Sequence, residues 1–184
     1  MIRWTAALLI IFCCSLSAYA QNSDSAESPD QFSDQPMSLE RLGEILLALD
    51  PDAETNGSRF LLSIEDVQIF VITDVESDRM RAMIPIRNQQ EVSSEEMTRM
   101  MQANFDTTLD ARYAIAQGML WSTYIHPLSP LQKNQLISGI GQAVNLALTY
   151  GTIYSGGAMN FGGGDSGSIN RKLIEELLEK GEEV

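Results

Sequence analysis

Cysteine occurs only at Cys13 and Cys14, and histidine only at His126. Everything after residue 20 therefore lacks a thiol, which excludes a disulfide framework, a thiolate nucleophile and any cysteine metal site. A lone imidazole with no cysteine to join it also excludes the usual zinc sets. Basic residues are scarce: 12 Lys and Arg stand against 25 Asp and Glu, a formal charge of −13. Such a surface repels phosphate backbones, so no nucleic-acid partner is expected, and anionic membrane surfaces are disfavoured for the same reason.

The first twenty residues have the layout of an export leader. Arg3 supplies a positive n-region, Trp4 to Leu16 carries no charge, and Ala18-Tyr19-Ala20 is a small-x-small cleavage site. The uncharged run is shorter than the roughly 18 apolar residues of a membrane-spanning helix, so removal is expected, with no stable membrane insertion afterwards. Phe12 before Cys13, and Cys13 before Cys14, depart from the small residue that a lipoprotein signal places before its modified cysteine. Removing the leader deletes Arg3 and no acid, so the mature chain is more acidic still. An exported protein is expected, periplasmic in a bacterium.

Residues 21–36, QNSDSAESPDQFSDQP, have Phe32 as their only large apolar side chain. They cannot bury enough surface to offset their ordering entropy and are expected to form a disordered tether. A single domain is expected over 37–160, long enough at about 125 residues to hold together by its core alone. Gly162-Gly163-Gly164-Asp165-Ser166-Gly167 marks a Gly/Ser linker over 161–169. Residues 170–184 read as an acidic amphipathic tail helix with Leu173, Ile174, Leu177 and Leu178 on one stripe, able to dock on the domain, on a partner, or nowhere.

Within the domain, Ser38 caps a helix whose stripe is Leu39, Leu42, Ile45, Leu46 and Leu49, ended by Asp50-Pro51. Three strands follow, at 59–65, 67–73 and 79–87, joined by turn chemistry. Pro85 points to an edge position or a bulge. The second strand is apolar on both sides: Val67, Ile69 and Val71 face one way, Phe70 and Ile72 the other. Such a strand is central in an antiparallel meander or has its back covered. Ser93 with Glu96 forms a capping box, with Val92 stapled onto Met97, opening a helix striped by Met97, Met100, Met101 and Phe105. Strands at 112–116 and 119–125 form a hairpin about Gln117-Gly118 or one bent strand, the hairpin being favoured. Ser129-Pro130 is expected to start the last large helix, with Leu136, Ile140, Val144, Ala147 and Leu148 buried. Gly139 and Gly141 inside that helix each cost about 1 kcal/mol against Ala, which close packing against another backbone would offset. The expected class is α+β: an antiparallel sheet of about five strands with helices, in α-β-β-β-α-β-β-α order.

No residue set announces catalysis, and no enzyme, cofactor or metal is expected. His126 before Pro127 suits a hydrogen-bonded structural residue. Asp74, Glu76 and Asp78 alternate near a turn but lack the glycine and distal glutamate of a calcium loop. The triple-glycine stretch has no Lys-Ser/Thr after it, and no serine stands in a Gly-x-Ser-x-Gly elbow. Asn56-Gly57-Ser58 matches a glycosylation sequon, which matters only in a eukaryotic secretory route.

The stretch Asn104 to Tyr113, then Leu120-Trp121, then His126-Pro127-Leu128-Ser129-Pro130-Leu131, and finally Tyr150-Gly151 with Tyr154-Ser155-Gly156-Gly157, resembles the class I type III secretion chaperone fold. Within it the pattern is most similar to the bacterial YbjN-type family, over about two thirds of the chain. The resemblance implies a chaperone-like α+β domain, often dimeric, that binds protein segments and does not turn over substrates.

One surface follows from the alternation. If Phe60, Leu62, Ile64, Val67, Ile69, Val71 and the Met80–Ile86 set face the helices, then Leu61, Phe70, Ile72 and Met83 face away, with Trp121 or Tyr124 joining one side according to register. Four large apolar groups on a sheet's outer face exceed what monomers usually expose. Either this face forms a dimer contact or a groove for an extended polypeptide, or the third helix or the tail helix covers it. The expected function is a protein-binding, chaperone-like module, with a homodimer as one form. The alternative is an accessory of a cell-envelope complex docked through its C-terminal helix.

Overall fold

The computed structural model describes residues 36–106, 108–150 and 169–182. The expected leader, the tether apart from Pro36, the linker apart from Ile169, and Tyr154 to Gly157 lie outside the described residues.

Helix α1 spans Leu39–Leu49, and the Ser38 hydroxyl accepts from the Arg41 amide at 3.1 Å. Strands β1 (Glu54–Asn56), β2 (Arg59–Ile64), β3 (Val67–Asp74) and β4 (Arg79–Asn88) follow. Next come α2 (Ser94–Asp106), β5 (Arg112–Ala116), β6 (Met119–Pro127), α3 (Lys133–Thr149) and α4 (Ile169–Gly181). Among the described residues the sheet has six strands, in the order β1-β2-β3-β4-β6-β5, one more than the sequence pattern suggests. The extra strand is a three-residue edge with every residue exposed, so it carries no apolar alternation to read.

Two-residue turns set the registers. Glu65 and Asp66 both have positive φ between the paired Ile64 and Val67, as do Gln117 and Gly118 between Ala116 and Met119. That conformation matches the twist of flanking strands, and it makes 112–127 a hairpin. Strand β3 is interior, between β2 and β4. Pro85 is not on an edge: β4 is also interior, and the register shifts between Pro85 and Arg87. The bulge accommodates a residue with no N–H to give the ladder.

All the described helices lie on one side of the sheet. Phe60, Leu62, Ile64, Ile69, Val71, Met80, Ala82, Ile84 and Tyr124 share one core with buried residues of α1, α3 and α4. A second cluster joins Val92, Met100 and Ala103 to Tyr113 and Leu120, with Met97 packed beside it. The capping box at Ser93 forms in both directions, at 3.1 and 2.8 Å. The α2 stripe differs from expectation: Met97, Met100 and Ala103 turn inward, while Met101 is 49% and Phe105 77% exposed. Ala103 takes their place in the cluster with Met100, Tyr113 and Leu120.

The start of α3 also differs. Its N-cap is Gln132, whose amide donates to Gln135 Oε1 at 3.0 Å. Ser129 is instead tied to the β3–β4 turn, its amide and hydroxyl donating to Asp78 at 2.6 and 2.9 Å. The tie holds Ser129-Pro130 in a turn. Of the expected α3 stripe, Leu136, Ile140 and Val144 are fully buried, Ala147 partly, and Leu148 is 52% exposed. Ile137 and Ala143 complete it.

The helix glycines have specific neighbours. A Cβ on Gly139 would stand 2.5 Å from Cε1 and Cζ of the Tyr124 ring, so the compensation there is a side chain of β6 and not a backbone. A Cβ on Gly141 would stand 2.8 Å from Ile174 Cγ1 and 3.6 Å from Ile174 Cα, so this glycine lets α4 approach closely. Leu173 and Leu177 of α4 are buried in the main core, with Leu178 packed against it. The tail helix therefore spends its apolar stripe on its own domain.

Candidate functional site: the outer face of the sheet

The register places side chains on the helix-free face in cross-strand rows. Glu54, Leu61, Phe70, Met83, Thr123 and Arg112 form one row spanning all six strands. One step along, Asn56, Arg59, Ile72, Arg81 and Ile125 form a second. Pro85, Trp121 and Ala114 lie in a third. Directly opposed side chains on one face stand about 5 Å apart and touch, so Leu61, Phe70 and Met83 form a continuous apolar strip.

Phe70 is 36%, Ile72 37% and Ile125 53% exposed. Leu61, Met83 and Trp121 are half-buried against them. Among the described residues no helix covers this side: α1, α3 and α4 belong to the core on the opposite face, and α2 packs on Tyr113 and Leu120, which also point there. All four residues singled out from the sequence, Leu61, Phe70, Ile72 and Met83, stand together on this face. Trp121 and Ile125 join them, while Tyr124 turns inward, where burial pushes its phenol up to about 12.

The charge on this face runs against the rest of the chain. Outward strand positions carry Arg59, Arg79, Arg81 and Arg112, but only Glu54 and Asp74 as acids. Arg112 is held in place by Thr108 Oγ1 at 3.0 Å and by the carbonyls of Ala111 and Leu109. Arg59 and Arg81 are exposed and have no ion-pair partner among the described residues.

Both edges of the sheet are blunted. On β5, the outward-pointing amide and carbonyl of Tyr113 are taken by Asn104, whose Oδ1 accepts at 2.8 Å and whose Nδ2 donates at 3.0 Å. The Ala111 amide is taken by Gln142 Oε1 at 3.2 Å. The other edge is the three-residue β1. An added strand finds little backbone to pair with at either edge, so the broad face is the larger surface on offer.

Three polar residues singled out from the sequence, His126, Asp74 and Asp78, are engaged in the fold. His126 Nδ1 lies 2.8 Å from the Pro127 carbonyl and its ring stacks on Tyr124 at 6.0 Å. Asp74 accepts from the Ser77 amide at 3.0 Å. Asp78 is occupied by Ser129, whose amide and hydroxyl hold its carboxyl below the usual range, helped by Arg79. Among the described residues no group of three His, Cys, Asp or Glu side chains converges on a point that could hold a metal ion, and no helix is long and apolar enough to cross a membrane.

Neither Trp121 nor Ile125 was separable from its neighbours by sequence. Leu120, Tyr124, Trp121 and Ile125 alternate as two equally apolar sets, and only the Met83–Thr123 pairing assigns the second set outward. Arg59 and Arg81 lie in separate strands, and their placement on either side of Ile72 appears only once β2 and β4 are paired with β3.

No protein-family model matches this chain, and no curated protein matches it. Solved structures similar to it include the ExsC–ExsE complex, at 10% identity and a TM-score of 0.47, over 59% of this chain and 90% of that one. The HopA1–SchA chaperone–effector complex is similar at 8% identity and 0.46, over 62% and 98%. The Yersinia pestis type III secretion chaperone SycH, in complex with a fragment of YscM2, is similar at 16% identity and 0.44, over 58% and 97%.

Proposed function

We propose that this protein is a non-enzymatic binding module whose outer sheet face holds a polypeptide segment of a partner protein. The observation that carries the reading is the strip Leu61, Phe70 and Met83, continued by Ile72, Ile125 and Trp121, on the side that no described helix covers. Water-exposed apolar groups contribute only when something covers them, at about 25 cal/mol per Å² removed from water. The resemblance of Asn104–Tyr113 and His126–Leu131 to the YbjN-type family supports a module of this kind. The leader-like first twenty residues support an exported protein, working in the periplasm of a bacterium. Docking through the C-terminal helix is the weaker reading, because Leu173 and Leu177 are already buried.

The test is titration of the protein with a fluorescent, extended peptide of alternating Leu and Phe, followed by anisotropy and by Trp121 emission. Binding is expected, with loss in Phe70→Asp and Ile72→Asp and retention in Met101→Asp, which alters an exposed apolar residue on the helix side. Equal binding by Phe70→Asp and the parent protein refutes the reading. A second copy is the competing occupant; light scattering that finds a dimer dissolved by Phe70→Asp would assign the face to self-association instead.

A further inference from the structure

We infer that the segment held by this face is acidic, with a carboxylate two residues from a large apolar anchor; the inference rests on the binding role proposed above. On a strand, outward positions recur about every 7 Å. The apolar row through Leu61, Phe70 and Met83 and the row carrying Arg59 and Arg81 are one such step apart, because Leu61 follows Arg59 and Met83 follows Arg81 by two residues on the same strands. An extended segment has the same repeat. A Phe or Leu seated on Phe70 therefore brings an Asp or Glu two places along onto the arginine row, where Ile72 separates Arg59 from Arg81.

Charge complementarity selects this partner over the others. The chain as a whole is strongly acidic, with a formal charge of −13, so an acidic segment is repelled everywhere except where arginines outnumber acids. A second copy fits poorly: isologous pairing through this face presses two sets of Arg59, Arg79, Arg81 and Arg112 onto one buried surface that offers only two sets of Glu54 and Asp74, eight arginines against four acids. Basic segments meet the same arginines and gain nothing at the apolar strip that a neutral segment does not.

The experiment compares three synthetic extended peptides on the full chain. All carry the same Phe and Leu residues; the intervening same-face positions are Asp, Ser or Lys. The acidic peptide is expected to bind about tenfold tighter than the neutral one, with the basic one weakest, and the margin should shrink as salt screens it. Arg59→Glu with Arg81→Glu reverses the order, Arg59→Gln with Arg81→Gln levels it, and Arg171→Glu on α4 leaves it unchanged. Equal affinities that all vanish in Phe70→Asp overturn the acidic partner and leave the binding face standing. Absence of binding by any peptide overturns both. A dimer that Phe70→Asp dissolves, or a peptide of residues 21–36 that displaces the acidic probe, overturns the assignment to a partner protein in favour of the chain itself.

Discussion

Gly139 offers a sign test of how α3 seats on the sheet. In an isolated helix Gly→Ala stabilises by about 1 kcal/mol. Here a Cβ would meet Cε1, Cζ and Cδ1 of Tyr124 at 2.5, 2.5 and 2.6 Å, whereas carbon atoms pack at about 3.5–4.0 Å. Ring and helix must therefore separate by about 1 Å, and Tyr124 is only 3% exposed, sealed in the main core. Overpacking of this kind costs about 1–3 kcal/mol, which outweighs the propensity gain. Gly139→Ala is expected to lower stability by about 1 kcal/mol net in urea unfolding followed by circular dichroism. Tyr124→Phe keeps all three clashing atoms and should leave that cost intact. Tyr124→Leu removes the ring, and in that background Gly139→Ala should become neutral or stabilising. If Gly139→Ala stabilises the parent chain, or costs the same beside Leu as beside Tyr, the close approach of α3 to β6 is not what demands glycine here.

Ser122 is fully buried and its hydroxyl has no hydrogen-bond partner among the described residues; Ser122→Ala should raise stability by about 1 kcal/mol, and a drop in unfolding midpoint would refute this. Asn104→Ala leaves the Tyr113 amide and carbonyl open on the β5 edge, so a loss of about 1–3 kcal/mol and faster light-scattering growth on storage are expected. Asp78 has a lowered pKa in the folded chain, so its tie to Ser129 stabilises above the ordinary carboxyl value of 3.8 and is lost as pH falls through the lower folded value. Asp78→Asn should therefore melt lower at neutral pH, with the gap to the parent narrowing under acid; a gap constant from neutral to acid would refute it.

Much of the architecture was legible because it is local. Periodicity located α1, β2, β3 and β4, and Ser93 with Glu96 announced the start of α2 through groups three residues apart. Gln117-Gly118 marks the turn of the last hairpin, while Glu65, which the sequence pattern puts at the end of a strand, belongs to the turn with Asp66. Strand alternation separated Leu61, Phe70, Ile72 and Met83 from the core set, since neighbours on a strand must point to opposite faces. The readings that failed depend on distant partners. Ser129-Pro130 has the composition of a helix start, but Asp78, 51 residues away, takes both of its donors. Met101 and Phe105 have helical spacing, but the face of α2 that meets Tyr113 and Leu120 carries Met97, Met100 and Ala103.

The amino-acid order by itself determined an acidic α+β chain with no thiol after Cys14 and one strand apolar on both sides, because charge, cysteine content and side-chain alternation do not depend on packing. Only the tertiary structure decided that every described helix gathers on one face, that α4 closes on α3 beside Gly141, and that Arg59 and Arg81 bracket Ile72. These are relations across strands and between helices, set by register and close approach, and no local pattern encodes them.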